Sequence, residues 1–275
     1  MQGQIIKITS DLHIVSANNE HIPCKCRGIF RKEKIIPLVG DYVLFDKEKQ
    51  IIEKILPRKN EFKRPSVSNI DQAFLITSLK TPDFSLNLLD KLLVLMEIKG
   101  IVPIICITKE DLKTTEELSE IEEKLSYYRT LGYTVISNTE LETIKNMLMN
   151  KTSVFTGQTG AGKSTLLNKL NPEWNLETGE VSIALGRGRH TTRVVELFEL
   201  FGGKVMDTPG FSALDLKEFS DEQIRNAFIE FKHFPCIYKD CSHTKESECN
   251  VKKAVLNSDI LKERYENYLK FLERK

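Results

Sequence analysis

The sequence has no long apolar run and little net charge, and both absences narrow the class of protein. Its longest apolar stretch, 101–107, contains a proline and is far shorter than the roughly 18 residues that a membrane-spanning helix needs. No apolar stretch preceded by basic residues opens the chain, so we expect no secretory signal, a cytoplasmic location and no membrane partner. The 275 residues, 40% hydrophobic and 29% charged, are typical of a globular protein with two or three domains.

The net charge of +1 hides an uneven distribution along the chain. Residues 1–64 contain 13 Lys and Arg against 8 Asp and Glu, residues 65–215 contain 15 against 20, and residues 216–275 contain 12 against 11. The basic N-terminal segment favours a polyanionic partner, although a surplus of this size also occurs on ordinary solvated surfaces.

Changes in hydrophobic periodicity divide the chain into three predicted domains. In residues 1–64, short β-rich stretches without intervening helices predict a small OB-like β-barrel. In residues 65–215, strands that alternate with helices predict a largely parallel α/β sheet covered on both faces. Residues 216–275 contain a capped helix, a cysteine-rich loop and an amphipathic C-terminal helix, which predict a helical domain.

Residues 157–164 match the P-loop pattern G-x-x-x-x-G-K-[ST], between a predicted strand and a predicted helix. Glycines let backbone N–H groups turn inward around phosphates, Lys163 reaches the β- and γ-phosphates, and the Ser164 hydroxyl ligates Mg²⁺. A glycine-rich turn without a ligand is the alternative. The predicted nucleotide-binding residues are Gly157, Gln158, Thr159, Gly160, Ala161, Gly162, Lys163, Ser164 and Thr165.

A second phosphate motif, Asp207-Thr208-Pro209-Gly210, follows an apolar strand candidate. Asp207 can hold a magnesium-bound water, and the Gly210 amide can sense the γ-phosphate. Alone, the motif could be an Asp-capped turn, but its distance of some forty residues after the P-loop favours the phosphate role.

Thr108-Lys109-Glu110-Asp111 follows the apolar run 101–107 and is the nearest match to N-K-x-D, the guanine-binding element of GTPases. The Asp111 carboxylate can accept hydrogen bonds from N1 and the 2-amino group of guanine, and the Lys109 stem can pack against the base. Thr108 replaces the usual Asn, keeping a hydroxyl but losing an amide. The alternative is a polar loop that starts the helix predicted by the Thr114 and Glu117 capping box.

Four metal-capable residues lie within fourteen positions: Cys236, Cys241, His243 and Cys249. Three thiolates and one imidazole fill the tetrahedral shell of Zn²⁺ and leave no open position for a catalytic water. A disulfide is not expected in a cytoplasmic protein. The sequence therefore predicts one structural zinc ion.

The order of these motifs, with the base element upstream of the P-loop, resembles the circularly permuted GTPases. With a basic barrel before them and a Cys/His cluster after them, the chain resembles the ribosome small subunit-dependent GTPases of the RsgA type. The resemblance covers essentially the whole chain, including Arg27-Gly28, Val39-Gly40-Asp41 and Arg64-Pro65. Permutation explains the motif order, because the same sheet is traced from a different start point. The resemblance also assigns Ser137, loosely, to the last base-contacting loop.

The resemblance implies that residues 186–193, Gly-Arg-Gly-Arg-His-Thr-Thr-Arg, form switch I. Thr191 or Thr192 would then complete the Mg²⁺ shell, and the arginines would bind RNA phosphates; a basic solvated hairpin is the alternative. Phe211 occupies the position of the Gln that orients water in classical small GTPases, so intrinsic hydrolysis should be slow. The family implies His190 as the group that acts instead.

The resemblance implies a factor that hydrolyses GTP to GDP and phosphate during late maturation of the small (30S) ribosomal subunit. It implies stimulation by the subunit, rRNA binding by the barrel, one Zn²⁺, and Mg²⁺ with GTP; we expect a monomer. The residues alone support a Mg²⁺-dependent nucleoside triphosphatase with nucleic-acid-facing flanks. A metabolic P-loop phosphotransferase and a non-enzymatic RNA-binding module that holds nucleotide stay open.

Overall fold

The computed structural model describes residues 1–9, 12–62, 65–174, 176, 195–207 and 215–273, and of Asp207 only the backbone. None of the helices in these ranges has both the length and the apolar character needed to cross a membrane.

The N-terminal part of the described chain is built from short strands and one short helix. They are β1 (Gln2–Ile8), β2 (His13–Ala17), β3 (Glu20–Cys26), α1 (Gly28–Lys32), β4 (Tyr42–Asp46), β5 (Ile51–Ile55), β6 (Glu61–Phe62) and β7 (Val67–Ser68).

Five of these strands close into a barrel. The pairing runs β1–β2–β3–β5–β4, and β4 returns to β1; only the β3–β5 pair is parallel. Alternate residues point inward, as the period of a strand requires, and the innermost side chains have no exposed surface: Ile5, Val15, Cys24, Val43 and Ile52. The small N-terminal barrel predicted from the sequence is confirmed.

Part of the basic stretch after the barrel is neutralised within the protein. The fully buried Asp41 carboxylate accepts hydrogen bonds from Nε and Nη2 of Arg58 at 2.7 and 2.8 Å, and from the Ser68 hydroxyl at 2.7 Å. Lys59 pairs with Asp71. Charge that is available to a polyanion must therefore be sought elsewhere on the barrel.

Strands and helices alternate in the middle of the chain, as predicted. The elements are β8 (Gln72–Ser78), α2 (Leu86–Lys99), β9 (Val102–Thr108), α3 (Thr115–Thr130), β10 (Thr134–Ser137), α4 (Leu141–Leu148), β11 (Thr152–Gly157) and α5 (Lys163–Leu170). Helix α2 begins after Ser85, whose hydroxyl accepts from the Leu88 amide, and ends at Gly100 in a left-handed conformation. Helix α3 begins with the predicted capping box of Thr114 and Glu117.

The remaining elements are β12 (Glu196–Leu200), β13 (Gly203–Asp207), α6 (Asp221–Ala227), α7 (Asn250–Leu256) and α8 (Lys262–Leu272). Ser220 and Gln223 form the predicted capping box of α6. The helix predicted from there through His233 is interrupted, because α6 ends at Ala227 and a separate 3-10 helix covers Ile229–His233.

The chain forms two compact units. The first contains Met1–Phe74 and Thr139–Ala213, and the second contains Leu75–Asn138 and Leu214–Lys275. In the first unit β11 pairs with β13 in parallel, β13 with β12 and β12 with β1 in antiparallel, so the barrel strand β1 adjoins the α/β sheet. In the second unit β9 and β10 are parallel neighbours. The predicted domain boundaries after residues 64 and 215 stay a prediction.

Candidate nucleotide-binding and metal-binding sites

The predicted phosphate-binding loop connects β11 to α5 in the first unit. β11 ends at Gly157 and α5 begins at Lys163, so residues 158–162 make the turn from strand to helix. Gly160 and Gly162 have φ angles of 77° and 99°, a left-handed conformation that glycine adopts without a steric penalty. The glycine spacing of the motif thus serves the turn that the loop requires.

The side chain of Lys163 lies against the loop. Its Nζ donates to the carbonyl oxygens of Gly157 at 2.9 Å and Gln158 at 3.0 Å. Burial lowers the pKa of Lys163, and an adjacent phosphate would favour its charged form. Ser164 and Thr165 lie in the first turn of α5, where backbone N–H groups lack partners within the helix and favour an anion.

Asp207 ends β13, the strand beside the one that leads into the P-loop. The two strands are parallel, with Val154 opposite Met206, so Asp207 and Gly157 lie at the same edge of the sheet. Its backbone position is compatible with the predicted role at Mg²⁺. Gly210, predicted to contact the γ-phosphate, and Phe211 lie outside the described residues.

The predicted base-recognition residues lie together in the second unit. Thr108 ends β9, and Ser137 ends the parallel neighbour β10, opposite Ile107. The Ser137 hydroxyl donates to the Glu110 carboxylate, which joins the two loops.

Within residues 108–111, called the base loop below, the side chains differ in exposure to solvent. Thr108 is fully buried, whereas Asp111 is exposed in the 3-10 helix Glu110–Leu112. Lys109 has a left-handed φ of 61°, and its Nζ donates to the Thr81 carbonyl. Asp111 is therefore open to a ligand, and Lys109 is anchored beside it.

The switch segment 186–193 lies outside the described residues, and with it His190, Thr191 and Thr192. Their predicted roles stay predictions.

The four predicted metal ligands converge on one point in the second unit. Their ligand atoms all lie within 4.8 Å of one another. Cys236 Sγ lies 3.8 Å from Cys249 Sγ and 3.5 Å from His243 Nδ1, and Cys249 Sγ lies 3.4 Å from the same nitrogen. Tetrahedral zinc, with bonds of about 2.3 Å to sulfur and about 2.0 Å to nitrogen, spaces its ligands by about 3.8 and 3.5 Å. Cys241 completes the set, and the donors fit a bound metal ion.

The protonation of the thiols differs across the cluster. Burial would raise the pKa of Cys236, but hydrogen bonds from the backbone amides of Val251 and Asn250 outweigh it and lower that pKa. Burial raises the pKa of Cys241 to about 12 and also raises that of Cys249. A metal ion must displace the protons that these thiols carry, so its affinity should fall as the pH falls.

The loop between the ligands is held by Glu246. Its carboxylate accepts hydrogen bonds from the Ser242 amide at 2.6 Å, the Ser242 hydroxyl at 2.8 Å and the Thr244 amide at 2.9 Å. Burial opposes ionisation of Glu246, but these bonds dominate and lower its pKa to about 2. The carboxylate thus fixes the backbone on both sides of His243.

A polar cluster of the second unit was not predicted from the sequence. It is formed by five buried side chains from four segments of the second unit: Asp90, Tyr128, Glu230, Arg264 and Asn267. Arg264 reads as a solvated residue of an amphipathic helix, and no local pattern identifies its partners.

A P-loop between strand and helix, an Asp at the end of the adjacent parallel strand, and a base-type loop earlier in the chain define a circularly permuted P-loop GTPase. A model of the RsgA GTPase family matches residues 55–217, and a model of the RsgA N-terminal domain matches residues 2–51. The chain belongs to the RsgA GTPase family.

Similar proteins span the whole chain. The small ribosomal subunit biogenesis GTPase RsgA 2 of Oceanobacillus iheyensis is 46% identical over 99% of this chain and 96% of its own length. The small ribosomal subunit biogenesis GTPase RsgA of Streptococcus pneumoniae is 47% identical over 99% of this chain and 94% of its own.

Two solved structures are also similar. YloQ, described as a circularly permuted GTPase, has a TM-score of 0.83 at 38% identity and covers 99% of this chain and 93% of its own. YjeQ from Thermotoga maritima has a TM-score of 0.86 at 35% identity and covers 100% of this chain and 99% of its own.

Proposed function

We propose that this GTPase acts in biogenesis of the small ribosomal subunit, at a late step of 30S maturation, and that the subunit stimulates its GTP hydrolysis. The observation that carries the proposal is the P-loop between β11 and α5, with Asp207 at the end of the adjacent parallel strand. The choice of the small ribosomal subunit as partner is based on the names of the similar proteins. We further propose that the protein works as a monomer in the cytoplasm, where this assembly takes place.

Two groups of residues have proposed roles in nucleotide binding: the P-loop with Asp207, and the base loop. Backbone amides of residues 157–165 and Lys163 bind the phosphates of GTP or GDP. Ser164 would ligate Mg²⁺, and Asp207 would hold one of its waters. Asp111 accepts hydrogen bonds from guanine. When bound there, Mg²⁺ would neutralise negative charge on the phosphates.

The hydrolytic roles fall on the switch residues. Gly210 senses the γ-phosphate, and Thr191 or Thr192 completes the Mg²⁺ shell. His190 orients the attacking water, because Phe211 has no polar group for that task. Dependence of these roles on the bound subunit would make hydrolysis conditional on the partner.

We propose zinc as the metal of the Cys236, Cys241, His243 and Cys249 cluster. Three thiolates and an imidazole, spaced as a closed tetrahedron, match structural zinc sites. Such an ion would fix the loop and take no part in hydrolysis.

The proposed rRNA contact of the barrel lies at the end of β3 and on α1. Five exposed cations fall within ten residues there: Lys25, Arg27, Arg31, Lys32 and Lys34. Arg31→Ala with Lys32→Ala should weaken subunit binding and reduce the slope of log K against log salt by about one to two, since each phosphate contact releases counterions. Lys47→Ala with Lys49→Ala is the matched control, because these cations pair with Glu20 and Asp46.

The decisive experiment is GTP turnover with and without purified small subunits at low salt. Lys163→Ala should lose nucleotide binding and turnover. Lys169→Ala changes an exposed lysine of the same helix and should behave as wild type. His190→Ala should keep GTP binding but lose the stimulated rate. Absence of acceleration by the subunit, or transfer of the phosphate to a small molecule in place of water, would refute the proposed function.

A further inference from the structure

The buried polar cluster of the second unit is a complete ionic network. Arg264 Nη1 donates to Asp90 Oδ1 at 2.6 Å, while Nε and Nη2 donate to the two oxygens of Glu230 at 2.5 and 3.0 Å. Asp90 also accepts from the Tyr128 hydroxyl at 2.6 Å and from Asn267 Nδ2 at 2.7 Å. Arg264 and Asp90 are fully buried and Glu230 nearly so. The bonds are strong and geometrically restrictive, because buried charges tolerate little displacement from their partners.

This network joins the two helices that flank residues 108–111, the base loop, in the chain. Asp90 belongs to α2, the helix that precedes β9, and Tyr128 belongs to α3, the helix that follows Thr108–Asp111. Arg264 and Asn267 both come from α8. Helix α8 therefore holds the helices on either side of the segment that we assign to guanine recognition.

Helix α8 also contacts residues 236–249, the segment that contains the four proposed metal ligands and is called the metal loop below. Tyr265 donates its hydroxyl proton to the His243 carbonyl at 2.6 Å, and Tyr268 donates to the Ser242 carbonyl at 2.5 Å. The ring of Phe231 contacts His243 at 5.2 Å and Tyr268 at 5.0 Å between centroids. One helix thus contacts the proposed ligand His243 through one phenol and the preceding residue, Ser242, through another. Through Arg264 it is joined to Asp90 of α2.

We propose that Tyr265 and Tyr268 are positioning residues for guanine specificity, which couple the metal-bound loop through α8 to Asp111. The inference rests on the proposed assignment of Asp111 to guanine. A bound metal would restrain His243 in addition to the restraint that Glu246 places on its neighbours, the phenols hold α8 in register, and α8 holds α2 and α3. Loss of the metal releases the first step, so the base loop loses its preferred geometry. Coupling is reciprocal, so guanine nucleotide must tighten the metal by the same factor.

The test compares GDP with inosine diphosphate, which lacks only the 2-amino group. Calorimetry on the full chain gives the ratio of the two affinities for zinc-loaded protein, zinc-free protein and the Tyr265→Phe, Tyr268→Phe double variant. We expect this ratio to fall about tenfold on zinc removal or in the double variant, within the range typical of coupled sites. Tyr238→Phe, at a 61% exposed position of the same loop, is the matched control and should leave the ratio unchanged.

Two further measurements separate coupling from loss of folding. Pyrophosphate has no base for Asp111 to bind, so its affinity should be the same in all four proteins. An equal loss there would indicate general unfolding and overturn the inference. In wild-type protein, zinc affinity measured against a chromophoric chelator should be about tenfold higher with saturating GDP than with saturating inosine diphosphate.

An unchanged GDP to inosine diphosphate ratio without zinc, or zinc affinity that is the same with GDP and with inosine diphosphate, would also overturn the inference. Wild-type protein that binds both nucleotides equally would instead refute the guanine assignment of Asp111, on which the inference depends.

Discussion

Replacement of Arg264 by methionine should strongly destabilise the second unit. Methionine fills similar volume but leaves the Asp90 and Glu230 carboxylates buried without their cation, since their side chains are 0% and 2% exposed. Removal of one partner from a buried ionic network costs about 3–5 kcal/mol. Lys262→Met is the control on the same helix, because Lys262 is 77% exposed and lies 3.9 Å from Glu266, so its loss should cost less than about 0.5 kcal/mol.

Hydrogen exchange read by mass spectrometry measures this difference locally. Amides of α2 and α8 should exchange about two to three and a half powers of ten faster in Arg264→Met, since each 1.4 kcal/mol is about tenfold. The triple variant that adds Asp90→Asn and Glu230→Gln should recover much of the protection, because no buried charge is left unpaired. Protection in Arg264→Met equal to that in Lys262→Met would refute the electrostatic reasoning. A triple variant as unstable as the single one would assign the loss to packing.

Three further predictions concern the base loop, the metal cluster and the barrel. Asp111→Asn should weaken GDP by about 2–3 kcal/mol and favour xanthosine diphosphate in calorimetry, and equal binding of ATP and GTP by the wild type would contradict it. Cys241→Ala should lower the metal content from one ion per chain towards zero by elemental analysis, whereas Cys26→Ala should not. Burial lowers the pKa of His13 below 6.5. The backbone hydrogen bond with Cys24 and the charge of Asp41 raise this pKa but do not outweigh burial. The unfolded chain therefore takes up the proton first, exchange protection of β1–β3 should fall from pH 7 to pH 5, and His13→Gln should flatten this change.

Local patterns carried most of the candidate sites. The P-loop is eight consecutive residues whose glycines, lysine and serine have separate physical tasks. Phosphate binding can therefore be predicted from this motif without knowledge of the tertiary structure. The four metal ligands span fourteen residues, and the structure brings their donor atoms within 4.8 Å. Capping boxes at Thr114 and Ser220 marked the starts of two helices, because a cap depends only on residues three positions apart.

Patterns that depend on distant residues were less informative. The helix predicted from Ser220 through His233 breaks after Ala227, where packing of the following aromatic residues replaces regular helix: Phe228 lies 5.1 Å from Tyr268 between ring centroids. The compact units join residues 75–138 with 214–275, a pairing of distant segments that no local pattern indicates.

The sequence by itself determined the barrel, the alternating α/β segment, the candidate phosphate loop and the candidate metal cluster, because each depends on periodicity or on neighbours in the chain. Only the tertiary structure decided that Arg264 is fully buried and that Asp90, 174 residues away, is its partner. Hydrophobic periodicity shows which residues avoid water. A charged residue, by contrast, is stable in a core only where residues of opposite charge from other segments pair with it. Here the packing of helices from distant parts of the chain brings these charges together, and no single stretch of sequence encodes that packing.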